Sequence, residues 1–332
     1  MKRSIHIILS LVLMSLCACT GIDTGVRPDM PDPRYPYIFF DAEVASGTKS
    51  NLVEGDALPS DAGTSFGVFG YREGESVFEP EVVMNYRPSD GAAFIYDNLA
   101  TWMPEVSHEF YAYYPYETAA ITAAGLTMDD SKPYVKYVQP ETLEDMVDVM
   151  TASSNASASP VLLNFQHRLF SLDVVIKDGQ ISDDAYLELS EASVVFTDVV
   201  SEAELYYDGN HAVIGDESGY VAAENVFDPA VTVEPGGEGL IINGDHSFLF
   251  LPCDELTMVC LLNGNDEWGE LGDWALGEDN PGLVVNQKIA APAGGFKAGQ
   301  KYVVVITKTD ADGFVAQVGE WADGGNINFT FK

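Results

Sequence analysis

The strongest constraint on what this chain can fold into is a two-residue hydrophobic rhythm that recurs in short segments. Ile38, Phe40, Ala42 and Val44 alternate with Phe39, Asp41 and Glu43. Successive side chains of a strand point to opposite faces, so such a segment buries one face and wets the other. Comparable segments are Ser65-Phe66-Gly67-Val68-Phe69-Gly70-Tyr71, Phe110-Tyr111-Ala112-Tyr113-Tyr114, and residues 169–177, 193–200, 247–251, 258–262, 302–307 and 326–331. Each is short, rich in β-branched and aromatic residues, and bounded by Gly, Pro, Asn or Asp. Helical spacing is scarce. Residues 141–147, with Leu143, Met146 and Val147 on one face, predict one or two turns. The pattern predicts an all-β, sandwich-like architecture. The small, polar run 153–160 reads as a boundary between two strand-rich halves, residues 36–158 and 159–332.

The start of the chain is of another kind. Lys2 and Arg3 precede an almost unbroken apolar run, and Leu16-Cys17-Ala18-Cys19 follows. Charge, a short apolar stretch and a small residue before a cysteine form a secretory signal, and the run is too short to span a bilayer. The ending resembles a bacterial lipobox with residues 1–18 as signal peptide. That implies lipidation of Cys19 as the first mature residue, giving an anchored chain. An ordinary signal peptide with a chance cysteine is the other reading. Residues 19–35 read as a Pro-rich tether carrying Pro28, Pro31 and Pro33, extended enough to hold a body away from a membrane surface.

Sixteen Lys and Arg stand against 52 Asp and Glu, a net charge of −36. A surface that acidic repels nucleic acid, so no nucleic-acid partner is expected. Cys253 and Cys260 remain after the signal pair, and both a disulfide and two separate thiols are open. No metal site is expected, because the cysteines lack paired histidines, and His108, His211 and His246 lack metal or triad spacing. Seryl nucleophile motifs such as G-x-S-x-G are absent. Asp310-Ala311-Asp312-Gly313 lacks the further ligands of a calcium loop and reads as a hairpin turn. Trp268 and Trp274 lie in an acidic loop. They fit a sugar-stacking platform, or more simply one tryptophan packed on the sandwich. No cofactor is implied, and nothing singles out an acid/base carboxylate pair for glycoside hydrolysis.

Several segments resemble the fimbrillin family, the Mfa-like type V pilins of Gram-negative anaerobes. They are Thr64-Ser65-Phe66-Gly67-Val68-Phe69-Gly70-Tyr71, His108-Glu109-Phe110-Tyr111-Ala112-Tyr113-Tyr114-Pro115-Tyr116, Asp148-Val149-Met150-Thr151-Ala152 and Leu163-Asn164-Phe165-Gln166-His167-Arg168-Leu169. Near the end come Gly299-Gln300-Lys301-Tyr302-Val303-Val304 and the stretch from Val318 to Gly325. They occur in the family's order over nearly the whole chain after the signal.

The resemblance implies two tandem transthyretin-like β-sandwich domains, export to the outer membrane as a surface lipoprotein, and a place in a fimbrium. It also implies removal of a leading strand by a trypsin-like protease, and filling of the vacated groove by a strand of another fimbrillin subunit. His167 would make a structural hydrogen bond. Arg34 and Lys49 are the candidate processing sites, Lys49 standing where many relatives carry an Arg. A cut after either is expected to remove some or all of the segment 37–44. At the other end Ile327, Phe329 and Phe331 share one face and are the donor-strand candidates. The expected function is non-enzymatic: a structural or adhesive pilus subunit with a host or bacterial surface ligand. The rivals are a surface glycan-binding lipoprotein that does not polymerise and a secreted glycosidase.

Overall fold

The computed structural model describes residues 37–44, 58–59, 63–78, 81–87, 93–103, 105–116, 118, 120–124, 133–179, 187–214, 219–262, 283–308, 314–321 and 327–329. In chain order the strands are β1 (Phe40–Val44), β2 (Ser65–Arg72), β3 (Glu75–Ser76), β4 (Val82–Arg87), β5 (Ala93–Ile95), β6 (His108–Tyr114), β7 (Ile121–Ala124), β8 (Tyr134–Val138), β9 (Met150–Ala156), β10 (Val161–His167) and β11 (Phe170–Asp178). They continue with β12 (Leu187–Val199), β13 (Glu202–Tyr206), β14 (His211–Val213), β15 (Gly219–Val233), β16 (Leu240–Ile241), β17 (Phe248–Phe250), β18 (Glu255–Leu262), β19 (Leu283–Ala290), β20 (Lys301–Lys308), β21 (Phe314–Trp321) and β22 (Ile327–Phe329). The fold is all-β. The expected turns at 141–147 reduce to a single 3-10 turn, Leu143–Asp145.

The first sheet runs β1-β10-β9-β6-β2-β4-β5, with β3 on β2. Its ends approach each other: the stretch after β5 returns to the residues before β1, where Ile38 N–H donates to the Ala100 carbonyl and Tyr37 bridges Thr101. The inner face encloses one core, built from Phe40, Phe66, Phe110, Met150, Leu163 and Phe165 among others. Its outer face carries Phe69, Tyr71 and Tyr113, which pack on Ile121, Val135, Tyr137 and Leu205 of a four-stranded sheet, β14-β13-β8-β7.

Being central with both faces covered explains the composition of β2. Phe66 and Val68 point to the inner core and Phe69 and Tyr71 to the outer one. Its glycines make room for aromatic rings. A Cβ on Gly67 would lie 2.2 Å from the Tyr113 ring, and one on Gly70 would lie 2.6 Å from Phe78. The third core lies between β16-β11-β20-β21-β22 and β15-β12-β18-β19, a sandwich filled by Phe170, Leu172, Val194, Phe196, Met258 and Val304.

The pairing corrects the expected boundary at 153–160. That run is the end of β9 and the hairpin into β10, both in the first sheet. The last strand of the first sheet, β10, ends at His167. The β14-β13-β8-β7 sheet also joins strands from both expected halves, with Glu202 opposite Val138 and Tyr206 opposite Tyr134. A hairpin tip and an interdomain linker select the same small polar residues, so composition alone did not separate them.

Candidate functional site

The feature that stands apart from ordinary core packing is β1. It starts the path of the first sheet and, among the described residues, pairs only with β10, in parallel register from Phe40 opposite Val161 to Val44 opposite Phe165. Its alternation is realised in space. Ile38, Phe40 and Val44 are buried, whereas Phe39, Asp41 and Glu43 are exposed. The Phe40 ring lies 5.2 Å from Phe110, 6.1 Å from Tyr96 and 6.3 Å from Phe78, centroid to centroid. An edge strand thus fills the centre of an aromatic core. The strand it leans on, β10, alternates buried and exposed residues along its whole length.

Of the predicted site residues, Cys19, Arg34, Lys49, Trp268, Trp274 and Phe331 lie outside the described residues. In sequence, Arg34 precedes β1 and Lys49 follows it. A cut after Arg34 would therefore leave 37–44 in place, and only a cut after Lys49 would free the strand, which corrects the expectation that either would serve. Ile327 and Phe329 lie in β22, paired antiparallel to β21 with Trp321 opposite Ile327 and Gly319 opposite Phe329. β22 ends its sheet's path as β1 starts its own.

Two of the motifs quoted above meet across β9 and β10. His167 Nδ1 and Asp148 Oδ2 are 2.9 Å apart, both buried, and Arg168 N–H donates to the Val149 carbonyl. The Arg168 guanidinium donates to the Asn210 carbonyl, and burial lowers its pKa to about 10 against the opposing pull of Asp208. This cluster ties the end of the first sheet to the β13–β14 turn. Among the described residues His167 Nε2 has no hydrogen-bond partner, so no hydroxyl or thiol there completes a triad with this imidazole. No disulfide joins Cys253 and Cys260, and burial pushes the Cys260 thiol up to about 12. No group of three or more metal-ligating side chains occurs among the described residues. Two clefts of about 220 and 300 Å³, both touching Gln139, are at or below the lower end of the roughly 300–1,000 Å³ of small-molecule sites.

Residues 53–239, more than half of the chain, match the family described as fimbrillin-like. Solved structures share the fold. A fimbrial protein of Bacteroides vulgatus is 15% identical, with 87% of this chain and 98% of that one covered and a TM-score of 0.54. A candidate cell adhesion protein of Bacteroides uniformis is 16% identical, with 85% and 98% covered and a TM-score of 0.51. A candidate polysaccharide-binding protein of Bacteroides thetaiotaomicron is 11% identical, with 89% and 98% covered and a TM-score of 0.53. No curated protein matches the chain.

Proposed function

The chain belongs to the fimbrillin-like family, and from that premise we propose that it is a non-enzymatic surface lipoprotein, a structural or adhesive subunit of a pilus assembled by strand exchange. The observation that carries this reading is β1: an edge strand, first in its sheet, whose apolar side chains complete a core. In this reading Cys19 carries the lipid, residues 19–35 tether two transthyretin-like sandwiches to the outer membrane, and a trypsin-like protease cuts after Lys49.

Loss of β1 would bare the backbone edge of β10 and a slot lined by Phe78, Tyr96 and Phe110. Both are costly in water, and an added strand satisfies both. Ile327 and Phe329 repeat the spacing of Ile38 and Phe40, and Phe331 falls at the position of the smaller Ala42. Each large apolar side chain contributes roughly 1.5–3 kcal/mol on burial. The edge position of β22 allows it to leave β21 without opening a sheet from its middle.

The test is the first residue of the protein recovered from surface fibres. Ser50 is the expected result. Fibres built from chains that still begin at Cys19 would overturn exchange at this groove. Glycan binding without fibres would favour the non-polymerising rival.

A further inference from the structure

The residues leading into β1 are held in a different way from β1 itself. Ile38 N–H donates to the Ala100 carbonyl at 2.9 Å, and Ile38 C=O accepts from the Tyr96 hydroxyl at 2.8 Å. On either side, the Ser159 hydroxyl donates to Tyr37 C=O at 2.8 Å and accepts from Phe39 N–H at 2.9 Å. The same oxygen accepts from Trp102 Nε1–H at 2.8 Å. A serine hydroxyl offers one hydrogen and two lone pairs, so Ser159 is fully used. The Tyr96 hydroxyl also accepts from Ala100 N–H at 3.2 Å. Burial pushes Tyr96 up to about 12, with the Ala100 bond opposing, so it keeps the proton it donates through the physiological range.

The four bonds that reach the segment are all to the main chain of 37–39, so none depends on which side chains it carries. Beyond Phe39 the situation reverses. Phe40–Val44 has the β10 ladder on one side, and no further strand pairs with its other side among the described residues. A strand leaving this groove from its Val44 end would lose the ladder first and the grip at 37–39 last.

We propose that Ser159, assisted by Tyr96 and Trp102, is a backbone latch that fixes the register and residence of whatever extended strand occupies this groove. It grips the chain's own leading segment first, and then the segment of another copy that replaces it. The second half rests on the strand-exchange reading above, and the first half does not. Register matters because a one-residue slip would turn Asp41 and Glu43 into the core. A grip on the backbone at one fixed point prevents that slip without demanding a particular sequence. Ser159 is therefore a positioning residue, and the partner it accepts is an extended peptide running parallel to β10.

Amide hydrogen exchange on the full-length, uncut protein tests the grip. Ser159→Ala should speed exchange at Ile38 and Phe39 by about ten- to a hundredfold, as expected for losing one or two net hydrogen bonds. Amides of Val174 and Val304 in the second sandwich should keep their rates, and Ser159→Thr, which retains the hydroxyl, should restore slow exchange. Wild-type rates in Ser159→Ala, or Ser159→Thr as fast as Ser159→Ala, would overturn the latch. If Ser159→Ala does not fold, Tyr96→Phe decides. Faster exchange at Ile38 and Ala100 supports the latch, and unchanged rates sink it. For replacement, the full-length protein is given a specific cut within 45–57 and challenged with excess synthetic peptide of residues 35–44. Displacement of the native segment should be at least about tenfold faster in Ser159→Ala than in wild type. Equal displacement rates would overturn the latch's role in replacement. Displacement from neither protein would defeat strand exchange while leaving the exchange result at Ile38 and Phe39 to stand.

Discussion

Phe39 and Phe40 are neighbours in sequence and opposites in space, which makes them a matched pair of probes. Phe40 is 7% exposed and meets three aromatic rings, whereas Phe39 is 47% exposed and meets Tyr37 edge-on at 6.4 Å. Truncating a buried Phe to Ala costs about 3–5 kcal/mol, because the transfer energy is lost and a cavity remains. Phe40 sits on an edge strand whose surroundings can partly close, so the lower end, about 3 kcal/mol, is expected. That is a large share of the ~5–15 kcal/mol that holds a typical domain. Phe39→Ala removes one exposed ring contact and should cost about 1 kcal/mol or less. Urea denaturation followed by circular dichroism reads both, with an unchanged slope showing that the denatured state is the same. If Phe39→Ala costs as much as Phe40→Ala, or Phe40→Ala costs under about 1 kcal/mol, β1 does not complete this core and the reasoning from its alternation fails.

Three further outcomes follow from the packing. Gly67→Ala should destabilise by about 1–3 kcal/mol in the same denaturation assay, since its Cβ would overlap the Tyr113 ring and β2 is fixed on both sides. Asp148→Ala should cost about 1–3 kcal/mol, because it leaves the buried His167 Nδ1 without its carboxylate. His108 is fully buried between Trp102 and Phe110, and burial lowers its pKa, with a smaller opposing effect from the Val106 carbonyl and a lowering one from Arg72. The unfolded chain then binds this proton more readily than the folded one, so stability falls as pH drops through about 6.5. His108→Gln should flatten that part of a melting-temperature profile against pH, and an unchanged profile would refute it.

The strands most legible in the sequence were those with one dry face. β1 could be marked residue by residue because its alternate side chains are apolar and turned toward the core, whereas β10, which alternates as cleanly, entered only through the motif that starts at Leu163. β15 gave no such signal. It is fifteen residues long and lies at a sheet edge with Pro229 inside it, and most of its side chains are partly or fully exposed. Alternation also says which side chains share a face but not which strand lies alongside. The parallel pairings of β1 with β10 and of β11 with β20 join segments more than a hundred residues apart, so local pattern could not disclose them. Among site residues, the Asp148 and Arg168 contacts lie within motifs that the sequence had already singled out. Ser159 carried no signal. A serine in a small polar run looks like a loop residue until Tyr37, Phe39 and Trp102 are seen to converge on its hydroxyl.

The central claim is that the leading strand fills a groove that another copy's strand can occupy. The most direct measurement is the concentration dependence of sedimentation for the protein cut after Lys49 and freed of residues 1–49, beside the uncut chain. The account predicts that the uncut chain stays monomeric. The cut chain should associate into longer species that an excess of the 35–44 peptide caps. A cut chain that remains monomeric at every concentration, with the peptide bringing no change, would contradict it.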